Sequence, residues 1–283
     1  MRSPIDTQGQ RRVRQTSSAR LRCCVGVLNF LHLKRILVSG QHNLASITAE
    51  QKVIFATTHL GDLDVPAAIS EAGKWFDLVI ANESNQHSFR SRTRINAALH
   101  LAGMKNFLSV EYKDIEGRDA KPHFRAANFV PMQEALEKGK ALVIAAHNPV
   151  KVNELPHGGY GAVYVCAMTE GAVIVPVTVD VQSSALSDTY RSPSFATRPL
   201  ALLTFHPPMQ VTQIDGLEDF GGLADTVHRG SMTIEERKRY DQIRGALQVE
   251  SDKIMRVLAS ALPLHKRGVY GGAEGLDKNS TIV

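Results

Sequence analysis

The chain has 283 residues, 43% hydrophobic and 22% charged, which is enough to bury a substantial core. The formal net charge is +5, and the excess of arginine and lysine lies before residue 49. No window of about 20 residues is apolar enough for a clean transmembrane helix. No aromatic platform or nucleic-acid motif accompanies the positive charge, so nucleic acid is not expected as a partner.

The three cysteines argue against a disulfide framework and a zinc site. Cys23 and Cys24 are adjacent, Cys166 stands alone, and no C-x-x-C pair is present. Adjacent cysteines rarely bridge each other, and this spacing does not suit tetrahedral zinc. The cysteine pattern therefore predicts a reduced, cytosolic-facing compartment and no zinc site.

The first 48 residues are predicted to form a basic tail followed by an amphipathic helix. Residues 1–20 are polar, rich in arginine and poor in acids, which predicts disorder and also resembles an organelle transit peptide. Between residues 23 and 38, apolar side chains recur at roughly helical spacing beside Arg22, Lys34 and Arg35. Such a helix either lies in a membrane interface or packs on the core.

From residue 52 onward, strand-like and helix-like segments alternate. The predicted strands are 53–57, 76–81, 106–111, 141–146, 172–181 and 200–205. The predicted helices are 65–72, 94–102, 131–138, 162–169 and 233–261. Segments 182–199 and 206–231 are expected to be surface loops, and residues 273–283 a loose tail. This rhythm predicts an α/β fold around a largely buried sheet.

Between the first of these strands and its helix lie a histidine and an aspartate, His59 and Asp64. On a regular helix, five steps of about 100° would leave the two side chains roughly 140° apart. They can meet only across a turn, which Gly61 permits, and Asp64 and Pro66 suit the start of the following helix. Two interpretations stay open here: a general base with an orienting carboxylate, or a turn residue with an N-cap.

Four segments together are similar to boxes of one enzyme family. His59-Leu60-Gly61-Asp62-Leu63-Asp64 matches an H-x4-D box, and residues 134–144 resemble the helix, glycine and strand before the third box. Residues 158–177, with Val175-Pro176-Val177, resemble the fourth box, and residues 261–270 resemble the ending of bacterial members. On these motifs, residues 50–272 resemble the glycerolipid (lysophospholipid) acyltransferase family, that of the 1-acylglycerol-3-phosphate acyltransferases.

The resemblance implies a glycerolphosphate-acyltransferase-like fold, a mixed, mainly buried β-sheet flanked by helices, with an acyltransferase domain at 49–272. It implies that His59 is a general base oriented by Asp64. An acyl-CoA or an acyl-carrier protein would donate the acyl group, and a lysophospholipid or a glycerol-phosphate-type acceptor would receive it. Neither a cofactor nor a metal is implied. The basic N-terminus would hold the protein at the cytoplasmic face of a membrane.

The third box departs from the family pattern F-P-E-G-T-R, because residues 145–151 read Ala-Ala-His-Asn-Pro-Val-Lys. The family's arginine, which holds the acceptor phosphate, is therefore missing. The expected substrate-binding residues are His147, Asn148, Lys151, Gly161 and Lys113, with His157 and Arg118 as further candidates. The glycine turn at 158–161 is a candidate for the oxyanion donors.

Two other functions also fit the sequence. The altered third box also suits a non-catalytic, membrane-binding relative of the family. Residues 58–64 partly match the metallohydrolase pattern T-H-x-H-x-D-H, although the second histidine position holds Gly61. A metal-dependent hydrolase is therefore the third interpretation.

Overall fold

The computed structural model describes residues 19–61, 63–83, 107–110, 126–147, 154–182 and 198–272. Its strands are β1 Arg35–Ser39, β2 Lys52–Thr57, β3 Leu78–Glu83, β4 Phe107–Val110, β5 Ala141–Ala145, β6 Ala172–Gln182 and β7 Leu200–Phe205. They form one sheet in the order β1-β7-β6-β2-β5-β3-β4. Only the β6–β7 pair of this sheet is antiparallel.

Helices cover both faces of this sheet. They are α1 Ala19–His32, α2 His42–Ala45, α3 Asp64–Ala72, α4 Val130–Glu137, α5 Gly161–Ala167, α6 Phe220–Arg229 and α7 Ile234–Ser260. The predicted α/β class, with a mixed sheet between helices, is confirmed. None of the helices in the described ranges has both the length and the apolar character that a membrane span needs.

Two hydrophobic cores lie on opposite faces of the sheet, and β2 contributes to both. Val53 and Phe55 point into the core under α1 and α3, whereas Ile54 and Ala56 point into the core under α4, α5 and α7. Both faces of a central parallel strand are buried, so its sequence is a continuous apolar run rather than an alternating one. This is why the strand was readable from the sequence.

The predicted helix at 23–38 is wrong in its second half. The helix α1 begins at Ala19, inside the segment predicted to be disordered, and ends at His32. Residues from Arg35 form β1, which pairs in parallel with β7. Ile36 and Val38 are partly buried against the core on one face of that strand. A sheet edge that becomes available only in the folded chain therefore overrides the local helical spacing.

The predicted loop at 206–231 is also wrong, because it contains α6. Phe220, Leu223 and Ala224 are buried, at the spacing of one helical face. Gly221 is needed there, since a Cβ atom on it would collide with the Cβ of Ala126. Gly221 thus allows the close packing of a helix that glycine disguises in the sequence, whereas Gly222 beside it has open space. The predicted helix 94–102, most of the loop 182–199 and the tail 273–283 lie outside the described residues.

Candidate functional site

His59 and His147 meet at the carboxyl edge of the sheet. His59 follows β2 and His147 follows β5, and these two strands are parallel neighbours. The backbone N–H of His59 donates to Nε2 of His147 at 3.0 Å, and His147 is only 2% exposed. The topology therefore brings together two of the residues that the sequence singled out.

Asp64 organises the turn that carries His59. It is the first residue of α3 and is 1% exposed. Its Oδ2 accepts hydrogen bonds from the N–H groups of Leu60, at 2.7 Å, and Gly61, at 3.1 Å. Both donors precede Asp64, so the carboxylate binds the turn instead of capping the helix. The interpretation of Asp64 as a simple N-cap is wrong, because Leu63 occupies that position.

The His59 ring faces the same turn. Its Nδ1 lies 3.3 Å from the carbonyl oxygen of Gly61. A carbonyl oxygen can only accept a hydrogen bond, so Nδ1 carries the proton in this arrangement. The lone pair of the neutral ring is then on Nε2, which is the protonation state that a general base requires. Among the described residues, the hydrogen bonds of the Asp64 carboxylate go to backbone N–H groups and not to this ring.

Burial sets the protonation of Asp64, and a nearby ion pair modifies it. Burial raises the pKa of the Asp64 carboxyl group to about 7, against the effect of its two backbone hydrogen bonds and of the Lys266 charge. The Lys266 ammonium group donates to Asp180 Oδ1 at 2.6 Å and to the Val181 carbonyl at 3.2 Å. Asp180 and Lys266 were missed in the sequence analysis. Their signal was an aspartate inside the apolar β6 run, which requires a buried partner.

The chain resembles a solved structure. The chain is similar to the 1-acyl-sn-glycerophosphate (LPA) acyltransferase PlsC from Thermotoga maritima, at 12% identity and a TM-score of 0.42. The match covers 75% of this chain and 77% of that one. No family model and no curated protein matches the sequence. The residues of the site are therefore the basis for any functional assignment.

The glycine turn after β5 does not supply the predicted oxyanion donors at its first two positions. Gly158 donates its N–H to Tyr270 Oη at 3.3 Å, and Gly159 donates to the Ala146 carbonyl at 2.8 Å. Both N–H groups are used to fix the loop. From the α7 side, Ser251 Oγ donates to the Gly159 carbonyl at 3.1 Å. The turn is a structural support for the residues that follow β5.

Gly161 begins α5 and has a packing role in this structure. A Cβ atom there would lie 3.3 Å from the Phe129 ring and 3.4 Å from Ile144 Cδ1, tighter than most real contacts. His157, on the same loop, is exposed, and its ring lies edge-on to the Tyr270 ring at 6.4 Å. Asn148, Lys151, Lys113 and Arg118 lie outside the described residues.

No cluster of three or more histidine, cysteine, aspartate or glutamate side chains suited to a metal ion is present in the described ranges. What the described site can do chemically is move a proton. His59 has the tautomer of a base, and Asp64 is a buried carboxyl group that changes its charge near neutral pH. Together they suit activation of a hydroxyl group.

Proposed function

We propose that the protein is an O-acyltransferase. It would move a fatty acyl group from an acyl thioester, acyl-CoA or acyl-carrier protein, to a hydroxyl of a lysophospholipid or glycerol-phosphate-type acceptor. The observation that carries this proposal is the His59 turn at the carboxyl edge of the sheet, held by the buried Asp64 carboxylate. The H-x4-D spacing and the order of the surrounding elements support it.

In this proposal Nε2 of His59 removes the proton of the acceptor hydroxyl. The hydroxyl oxygen attacks the thioester carbonyl and gives a tetrahedral intermediate. The intermediate collapses with cleavage of the carbon–sulfur bond, and the thiolate takes the proton back from the imidazolium. Asp64, once ionised, stabilises the imidazolium from within the same turn. Nδ1 keeps its hydrogen bond to the Gly61 carbonyl, and the Asp64 charge acts on the ring through the turn that its Oδ2 holds.

We also propose that the protein is attached peripherally to a membrane, at the cytoplasmic face. On α1, Leu21 and Val25 are buried in the core, whereas Val27, Phe30 and Leu31 are 53%, 63% and 47% exposed. The exposed three lie on one side of the helix, and the Arg198 guanidinium group lies 5.4 Å from the centroid of the Phe30 ring. An apolar face with an adjacent cation suits the boundary between acyl chains and anionic head groups.

The proposal is tested by the release of free thiol from a panel of acyl-CoA and acyl-carrier-protein donors, with and without lysolipid acceptors. Wild type should release thiol in an acceptor-dependent way. H59A should lose this activity by about 10² to 10⁴-fold, the typical contribution of a positioned general base. H42A, which removes an exposed histidine from α2, is the matched control and should behave as wild type.

Two results would contradict the proposal in different ways. Near-normal transfer by H59A would show that His59 is not the base. No release by folded wild type with any donor and acceptor would favour the non-catalytic, membrane-binding alternative.

A further inference from the structure

The hydrogen-bond ladder between β2 and β5 changes at its last step. The N–H of Ala146 donates to the Thr57 carbonyl at 2.8 Å. In a regular parallel ladder, the next bond would run from the N–H of His59 to the carbonyl of Ala146. That carbonyl instead accepts from the N–H of Gly159 at 2.8 Å, and the His59 N–H donates to Nε2 of His147 at 3.0 Å.

The His147 ring therefore replaces a backbone acceptor at the point where β2 leaves the sheet. Buried backbone N–H groups are nearly always paired, because an unpaired one loses its hydration without compensation. His147 is 2% exposed, so solvent does not readily replace its ring. Removal of the acceptor would leave the backbone of His59 without its anchor to β5.

We propose that His147 is a positioning residue for His59, acting as a neutral imidazole with its proton on Nδ1. The acceptor nitrogen Nε2 cannot carry a proton while it accepts from the His59 N–H. This role differs from the contact with the acceptor phosphate that the third box predicts, since Nε2 is not a donor here. The inference rests on the proposed function only where it concerns catalysis, because the hydrogen bond itself can be measured separately.

Two substitutions distinguish positioning from phosphate binding. In H147Q, the amide oxygen stands as many bonds from Cα as Nε2 does and can accept from the His59 N–H. In H147L, a similar volume remains without an acceptor. We expect H147L to lower kcat by about 10- to 100-fold with little change in KM, because the base is displaced. H147Q should stay within about threefold of wild type, since the buried N–H keeps an acceptor.

A phosphate-binding role would give a different result. Both variants would then raise KM for the acceptor, and H147Q would not rescue kcat. Either that outcome or full activity of H147L would overturn the inference. Should H147L fail to fold, H147N takes its place, because its amide oxygen is one bond shorter and does not reach the His59 N–H.

A second measurement does not depend on activity. In protein labelled with ¹⁵N-histidine, the His147 signals are assigned by their absence from the H147Q spectrum. A neutral ring protonated on Nδ1 is expected, and a proton on Nε2 would overturn the inference. The wild-type protein could show the expected tautomer but no acyl transfer. That result would refute the proposed function and the catalytic part of the inference, while the hydrogen bond between His147 and His59 would still stand. Active wild type with unimpaired H147L would refute the inference alone.

Discussion

Replacement of Asp64 by asparagine should stabilise the protein at neutral and alkaline pH while it removes catalysis. The carboxyl group is 1% exposed and accepts hydrogen bonds from the N–H groups of Leu60 and Gly61. The amide oxygen of asparagine can accept the same two bonds, and it carries no charge. The substitution therefore isolates the cost of keeping a buried carboxylate ionised.

The magnitude follows from the raised pKa of Asp64, which is about 7 in the folded protein against 3.8 for an ordinary aspartate. Between these two values the folded protein holds a proton that the unfolded chain has released. The stability contributed by Asp64 is therefore complete below about pH 4 and is lost as the pH rises through about 7. A span of about 3 pH units corresponds to about 4 kcal/mol. The amide side chain that D64N introduces does not titrate, so the free energy of unfolding of the variant does not fall with pH through this group.

The assay is urea unfolding of wild type and D64N at a series of pH values from about 4 to about 9. The difference in the free energy of unfolding should grow by about 4 kcal/mol in favour of D64N between pH 4 and 7, and stay level above that. D225N, which changes an exposed carboxylate on α6, is the control and should show no such growth. A difference that does not change with pH, or that grows in favour of wild type, would refute the reasoning.

Three further predictions concern other parts of the molecule. K266M should lower the free energy of unfolding by about 3 to 5 kcal/mol in urea titrations, because it leaves Asp180 buried and unpaired, and adding D180N should recover most of the loss. G139A should lower the free energy of unfolding by about 1 to 2 kcal/mol, because Gly139 has a φ of 77°, which strains an alanine. The space around Gly139 is open, so no collision adds to this loss. G40A should lower the free energy of unfolding clearly more in the same titration, because the new Cβ would collide with the Phe205 carbonyl. Equal losses for G40A and G139A would contradict this close approach of Gly40 to Phe205. F30S should reduce flotation with anionic vesicles relative to wild type, and unchanged flotation would argue against α1 as the membrane contact.

The elements around the sheet centre were predictable because their signals are local. The strand predicted at 53–57 is β2, Lys52–Thr57, and the strand predicted at 172–181 is β6, Ala172–Gln182. Both are long apolar runs of the kind that only a strand buried on two faces needs. Gly139 and Gly171 follow the predicted helices 131–138 and 162–169, and both have positive φ, 77° and 70°.

The errors arose where a distant contact decides the local structure. β1 exists because β7 offers a free edge, 165 positions further along the chain. In the site, the sequence predicted that His59 and Asp64 share a turn, and they do. It could not predict that His147 would take the place of a ladder carbonyl. That contact depends on the pairing of β2 with β5 across 88 positions.

The Asp180–Lys266 ion pair has a consequence for the growing polypeptide. Asp180 is synthesised within the central strand β6, whereas its counter-ion Lys266 and the loop support Tyr270 follow the whole of α7. A nascent chain that stops within α7 holds every strand of the sheet described here, but lacks Lys266, which pairs with Asp180 in the folded protein. Translation through residue 270 therefore supplies the counter-ion of Asp180. It also supplies the Tyr270 hydroxyl group that accepts a hydrogen bond from the Gly158 N–H. Premature release at that stage yields a sheet without a finished site.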